Sequence, residues 1–145
     1  MSESLSGGCH CGALAVDLET ALPIASLPLR ACACSFSRRH AARTTSDPNG
    51  RVRVSVRDPA NLARYRFGLR TADFLLCRNC GAYVAALYSD GSRAWAVVNV
   101  NVLDRRAEFD REVKAVDYGE ESAEARRARR QKMWTPATVV DEPRI

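Results

Sequence analysis

The alternation of apolar and polar positions predicts a series of short β-strands. The clearest signal is the segment 51–57, where valines at every second position alternate with Arg and Ser. A period of two is typical of a strand that buries one face. Less regular patterns predict further extended segments, at residues 14–19, 65–67, 71–76, 83–88 and 94–103. Because no long helix separates these segments, we predict antiparallel pairing in a mainly β fold.

The composition changes after Tyr118. Residues 120–133 contain no β-branched residue and consist mostly of Glu, Ala and Arg, which predicts a helix that Ser122 can cap. Its apolar face is narrow, so we expect a surface helix, with Trp134 anchoring its end against the body. The chain is therefore predicted to be a β domain (1–118) with a helical C-terminal extension (119–145) packed on it.

Charge and length limit the classes of function. The 145 residues suit one domain, and 22 basic against 17 acidic residues give a net charge of +5 that is spread along the chain. A dispersed charge is typical of a solvated surface, so no nucleic-acid partner is expected. No secretory signal and no apolar run of membrane-spanning length is present, so we predict a cytoplasmic protein without a membrane partner. Thiols stay reduced in that compartment.

Six cysteines occur as three pairs, and a reduced compartment favours metal binding over disulfides. Two of the pairs are followed directly by glycine, which permits the tight turn that lets two sulfurs face one ion. The pairs are Cys9 with Cys11, Cys32 with Cys34, and Cys77 with Cys80. Spacing alone leaves open which pairs share an ion, because any two of them can form a closed four-thiolate site.

The cysteine motifs resemble those of the glutathione-dependent formaldehyde-activating (GFA) enzyme family. The resemblance extends over residues 5–104 and rests on Gly-Cys-His-Cys-Gly at 8–12, the segment 32–39 and Leu-Cys-Arg-Asn-Cys-Gly at 76–81. The tail, with Tyr118, the Arg129–Arg130 pair and Trp134, is similar to that of some members. The resemblance implies twisted antiparallel sheets of the Mss-four-like type, pinned by a structural zinc. The ligands it implies for that zinc are Cys9, Cys11, Cys77 and Cys80.

The middle motif departs from the family pattern. The family has Cys-x-Cys-x-x-Cys, which gives three thiolates to a second, catalytic zinc with one open position. Here Cys32 and Cys34 match, but the third position is Ser37. Three outcomes stay open: the second site is empty, His40 supplies an imidazole, or the two thiols hold a weak zinc with water.

The function implied by the resemblance is that of a carbon–sulfur lyase. It would act on the adduct of a thiol with an aldehyde, as in S-hydroxymethylglutathione, with Cys32 and Cys34 at the catalytic zinc. The adjacent Arg38 and Arg39 are candidates to bind an anionic thiol cofactor such as glutathione, or are two solvated charges. The alternative function is a non-enzymatic zinc-scaffolded domain that binds a partner or a small anion through an Arg-rich face.

Overall fold

The computed structural model describes residues 3–142 and confirms a mainly β fold with a C-terminal helix. The strands are β1 (Glu3–Gly8), β2 (Leu14–Thr20), β3 (Arg30–Cys32), β4 (Thr44–Thr45), β5 (Arg51–Val56), β6 (Leu62–Tyr65), β7 (Asp73–Cys77), β8 (Tyr83–Ser89), β9 (Ala94–Asn99), β10 (Lys114–Val116) and β11 (Thr135–Asp141). The α-helices are α1 (Ser35–Arg39) and α2 (Ala123–Met133). Within residues 3–142, no helix has the length and apolar character needed to cross a membrane.

Most neighbouring strands pair antiparallel, as expected from their short connections. This holds for β1 with β2, β2 with β5, and the meander of β6, β7, β8 and β9. Two pairs, β11 with β5 and β10 with β3, are parallel, so the prediction of purely antiparallel sheets is wrong. The parallel partners lie far apart in sequence, and a long intervening chain can return to the same end of its partner.

Strand β11 connects the two parts of the sheet. Its first residues, Thr135 and Pro136, pair with β9, and the rest of the strand pairs with β5. The sequence pattern assigns no strand to this stretch. Helix α2 precedes it and begins at the predicted cap, where Ser122 Oγ accepts a hydrogen bond from the N–H of Ala125 at 3.1 Å. The division at residue 118 stays a sequence prediction, and the described part beyond it contributes both a helix and a sheet strand.

Two apolar clusters fill the fold. In β5 the valines at 52, 54 and 56 are fully buried, whereas Arg51 and Arg53 are exposed, as the period of two predicts. Ser55, on the face predicted to be exposed, is buried, so the strand is covered on both faces toward its end. These valines belong to the larger cluster, which also contains two of the cysteines, Cys9 and Cys77. The smaller cluster contains Tyr83 and Trp134, so the tryptophan does anchor the end of α2. The smaller cluster forms the floor of the cavity described below.

Candidate functional site

Two turns bring four of the six cysteines together. Cys9 and Cys11 lie in the turn between β1 and β2, whereas Cys77 ends β7 and Cys80 lies in the turn before β8. The sulfur atoms of these residues all lie within 4.8 Å of one another. We call this set the four-cysteine cluster. The fold therefore pairs the first and third cysteine motifs, the pairing that spacing alone left open.

Glycine is required after the second cysteine of each of the two pairs in the four-cysteine cluster. Gly12 has a φ of 83° and Gly81 a φ of 79°, in the left-handed region that disfavours residues with a side chain. Both glycines let the chain turn back directly after a cysteine, so that the two sulfurs of each pair point to one side. This confirms the role that the sequence analysis predicted for the two glycines.

The spacing of the sulfurs suits one tetrahedral ion. The Sγ atoms of Cys9 and Cys11 are 3.8 Å apart, and those of Cys11 and Cys77 are 3.5 Å apart. Four thiolates at the usual zinc–sulfur distance of about 2.3 Å stand about 3.8 Å from one another in a tetrahedron. The residues present thus fit a metal ion, and a set of four thiolates leaves no open coordination position.

Backbone and side-chain donors surround the four-cysteine cluster. The N–H of Leu14 donates to Cys9 Sγ at 3.2 Å. A hydrogen bond from the Asn79 side chain lowers the pKa of Cys11 to about 6, whereas burial raises the pKa of Cys9 to about 12. Donors of this kind offset the negative charge that accumulates when several thiolates bind one cation. Metal binding at the cluster is therefore coupled to the release of thiol protons.

The middle motif lies elsewhere, in the wall of a cavity of about 160 Å³. Cys32 ends β3, and Cys34 is the N-cap of α1, where its sulfur accepts a hydrogen bond from the N–H of Ser37 at 3.4 Å. The Cys34 thiol also lies 3.1 Å from Ser37 Oγ. The aromatic rings of Phe74 and Tyr83 line the same cavity. The two thiols and the buried serine hydroxyl therefore face a shared, partly apolar space.

The two thiols of the middle motif differ in acidity. A hydrogen bond from Cys32 lowers the pKa of Cys34 to about 5, and contacts with Ser37 lower it further, against the opposing effect of burial. The same hydrogen bond, together with burial, raises the pKa of Cys32. The pair therefore shares one proton over a wide pH range.

The donor set of the middle motif does not fit a three-thiolate metal site. Within residues 3–142, no third His, Cys, Asp or Glu joins Cys32 and Cys34 in a group of closely spaced ligand atoms. Ser37 offers a neutral hydroxyl, which is a poor ligand for a thiophilic ion. The ring of His40 stacks on Phe36 with centroids 4.4 Å apart, and its Nδ1 lies 3.0 Å from the Phe36 carbonyl oxygen. In the described part of the chain, the structure thus brings two thiols and one serine hydroxyl together at this motif, and no third thiol or imidazole.

The arginines that line the cavity are other ones than Arg38 and Arg39. Arg38 and Arg39 are exposed and do not line the cavity, and Arg39 donates to the Ser35 carbonyl oxygen at 3.0 Å. Four other guanidinium groups line it instead, those of Arg30, Arg126, Arg129 and Arg130. Arg129 and Arg130 belong to the tail pattern that resembles some family members, and the sequence predicts no site role for them. Arg30 and Arg126 carried no signal in the sequence, because only the pairing of β3 and the packing of α2 bring them to the cavity.

The chain has a solved structural relative. Comparison with protein-family models gave no match, and comparison with curated proteins gave none either. Among solved structures, the chain is similar to a Rhodobacter sphaeroides protein whose crystal structure was determined as a Northeast Structural Genomics target. The two sequences are 34% identical, the TM-score is 0.54, and the match covers 77% of this chain and 99% of that chain. The similarity therefore extends over the whole fold of that protein and is not confined to one motif.

Proposed function

This chain belongs to the same family as the Rhodobacter sphaeroides protein, and from its own residues we propose that it is a zinc-stabilised protein that performs carbon–sulfur chemistry on thiol–aldehyde adducts. This is the type of reaction of the GFA enzymes, whose cysteine motifs it resembles. The observation that carries the proposal is the placement of the Cys32–Cys34 pair in a cavity, separate from the four-cysteine cluster.

Zinc is the ion we propose for the four-cysteine cluster. Four thiolates in tetrahedral spacing are typical of structural zinc in proteins, and such closed sites contribute to folding rather than to chemistry. Cys9 and Cys11 would hold the turn after β1 against the turn after β7, which contains Cys77 and Cys80. The role of the ion is thus to fix the sheet that supports the cavity.

In the cavity, the reacting group is the Cys34 sulfur. In the adduct the hydroxyl group loses its proton, the C=O bond re-forms, and the carbon–sulfur bond to glutathione breaks, with its electron pair leaving on the glutathione sulfur. The Cys34 thiolate then adds to the freed carbonyl carbon, a new carbon–sulfur bond forms, and the C=O π electrons move to the oxygen, which takes up a proton from water. The product is a thiohemiacetal, and the reverse step releases the aldehyde. The N–H of Ser37 and the Cys32 thiol donate hydrogen bonds to the Cys34 sulfur, so that the sulfur stays ionised and oriented at neutral pH. No oxidant or reductant enters this step.

The size of the cavity limits what it can enclose. A volume of about 160 Å³ is close to that of a cavity that holds one benzene-sized molecule, about 150 Å³. A whole glutathione molecule exceeds this space. We therefore expect the cavity to enclose the aldehyde carbon and its neighbouring atoms, while the larger part of a thiol such as glutathione stays outside.

Exchange spectroscopy by NMR tests the proposal. In a mixture of glutathione and formaldehyde, the protein should accelerate exchange between the free aldehyde and S-hydroxymethylglutathione. Cys34→Ser should abolish the acceleration, whereas Ser35→Ala, an exposed neighbour in α1, should retain it. If the wild-type protein with its full metal content gives no acceleration, the non-enzymatic zinc-scaffolded binding domain becomes the better description.

A further inference from the structure

Within residues 3–142, Arg130 is a buried cation without a carboxylate partner. The residue is only 6% exposed, and in this part of the chain its buried Nε has no hydrogen-bond partner. One guanidinium nitrogen donates to Thr71 Oγ1 at 2.6 Å, and the group lies over the Trp134 ring, 4.8 Å from its centroid. A hydroxyl and an aromatic face do not neutralise the charge, so the cation is held in the cavity wall with part of its donor capacity unused.

Positive charge exceeds negative charge around the cavity. Glu121 is already engaged, because it forms a salt bridge with Arg129 at 3.0 Å and a longer one with Arg126 at 3.9 Å. Arg30 donates to Ser46 Oγ at 3.0 Å. Over residues 3–142, neither Arg30 nor Arg130 has a carboxylate oxygen within 4.0 Å.

Asp117 does not remove this excess. It lines the cavity but is exposed, and its side chain accepts a hydrogen bond from the N–H of Gly119 at 2.9 Å. Burial and the neighbouring arginines lower the pKa of Arg130 to about 10, so the group stays charged at neutral pH. An uncompensated buried charge is costly unless an anion completes the site.

We propose that the Arg30–Arg130 wall of the cavity binds a carboxylate, so that the aldehyde bound there is a small one that carries an acid group. A guanidinium matches a carboxylate in two parallel hydrogen bonds, and burial strengthens such a pair. The arginines line the same cavity as Cys34. A molecule the size of glyoxylate can therefore place its acid group on the arginines and its aldehyde carbon toward the sulfur. The aldehyde half of this assignment rests on the proposed function, whereas the carboxylate half does not.

Calorimetric titration with glycolate tests the carboxylate half alone. Glycolate carries the acid group but no carbonyl carbon, so it cannot form a thiohemiacetal and its binding is independent of Cys34 reactivity. We expect saturable binding that Arg130→Gln weakens by about tenfold or more, as for the loss of a hydrogen bond between charged groups. Arg127→Gln should leave the Kd unchanged, because Arg127 lies on the same helix but is exposed. Ethylene glycol, the uncharged analogue, should not bind.

Further variants separate binding from folding. If Arg130→Gln lowers the Tm strongly, Arg30→Gln provides the same test on the second guanidinium, and Arg130→Lys tests whether charge without the planar fork suffices. The inference is overturned if glycolate does not bind, if both glutamine variants bind it as well as the wild type, or if inorganic phosphate binds more tightly and displaces it. The exchange assay is therefore run with glyoxylate as well as with formaldehyde: failure with both aldehydes would count against the proposed function and leave the glycolate result standing.

Discussion

Replacement of Cys80 by serine should remove the metal and lower stability in a way that the structure allows us to estimate. The two halves of the four-cysteine cluster are far apart in sequence: Cys11 and Cys77 are separated by 66 positions. Cross-linking a loop of that length removes about 4 kcal/mol of conformational entropy from the unfolded chain. For a domain of this size, about 2–4 °C of Tm corresponds to each kcal/mol, so the loss should be about 8–16 °C.

Metal content and thermal unfolding have to be measured together. Wild-type protein should carry the ion, and a strong chelator should lower its Tm by a similar amount. Cys80→Ser should lack the ion, and the chelator should then have almost no effect. Cys32→Ser is the matched control, because Cys32 lies outside the four-cysteine cluster and its replacement should leave this ion in place. A Cys80→Ser protein that keeps its metal and unfolds within about 2 °C of the wild type would refute the assignment.

Three further predictions concern the cavity and its support. Ser37→Cys should raise the zinc content from about one to about two ions per chain, because it gives the Cys32–Cys34 site a third thiolate. Elemental analysis measures this content, and an unchanged value would mean that the cavity cannot close around an ion. Alkylation of Cys34, followed by mass spectrometry, should accelerate as the pH rises through about 5 and level off near neutrality, whereas a rise that continues to pH 9 would indicate an ordinary thiol. Trp134→Ala should lower the free energy of unfolding by about 3–5 kcal/mol, because the ring is buried and Arg130 packs on it. Denaturant titration measures this change, and a loss below about 1 kcal/mol would show that β11 keeps its position without this anchor.

Patterns that repeat over short stretches were predictable from the sequence. The alternating valines of β5 are buried, and Ser122 caps α2, because both outcomes depend on residues within a few positions of one another. The residues after Cys11 and Cys80 are glycines with positive φ for an equally local reason, since each turn reverses directly after a cysteine. Local stereochemistry decides these features, and they need no knowledge of the rest of the fold.

Features that depend on distant segments could not be predicted in this way. Strand β11 contains Pro136 and only a short β-branched run, yet it lies between β5 and β9, because both strands offer free edges for its backbone hydrogen bonds. The parallel direction of its pairing with β5 follows from the path of the chain through α2. No periodicity in residues 135–141 encodes that path, and so the antiparallel expectation failed at this pair.

The sequence by itself determined which residues can bind a metal or react, and tertiary structure decided which of them meet. Six cysteines in three pairs, two of them followed by glycine, predict metal binding from residue type and spacing alone. Only the fold brings the first pair to the third and leaves Cys32 and Cys34 in a cavity of their own. Only the fold, likewise, sets Arg30 and Arg130 in that cavity while Arg38 and Arg39 face outward. The physical reason is that ligand geometry depends on distances across the sheet, which are set by strand pairing between segments far apart in the chain.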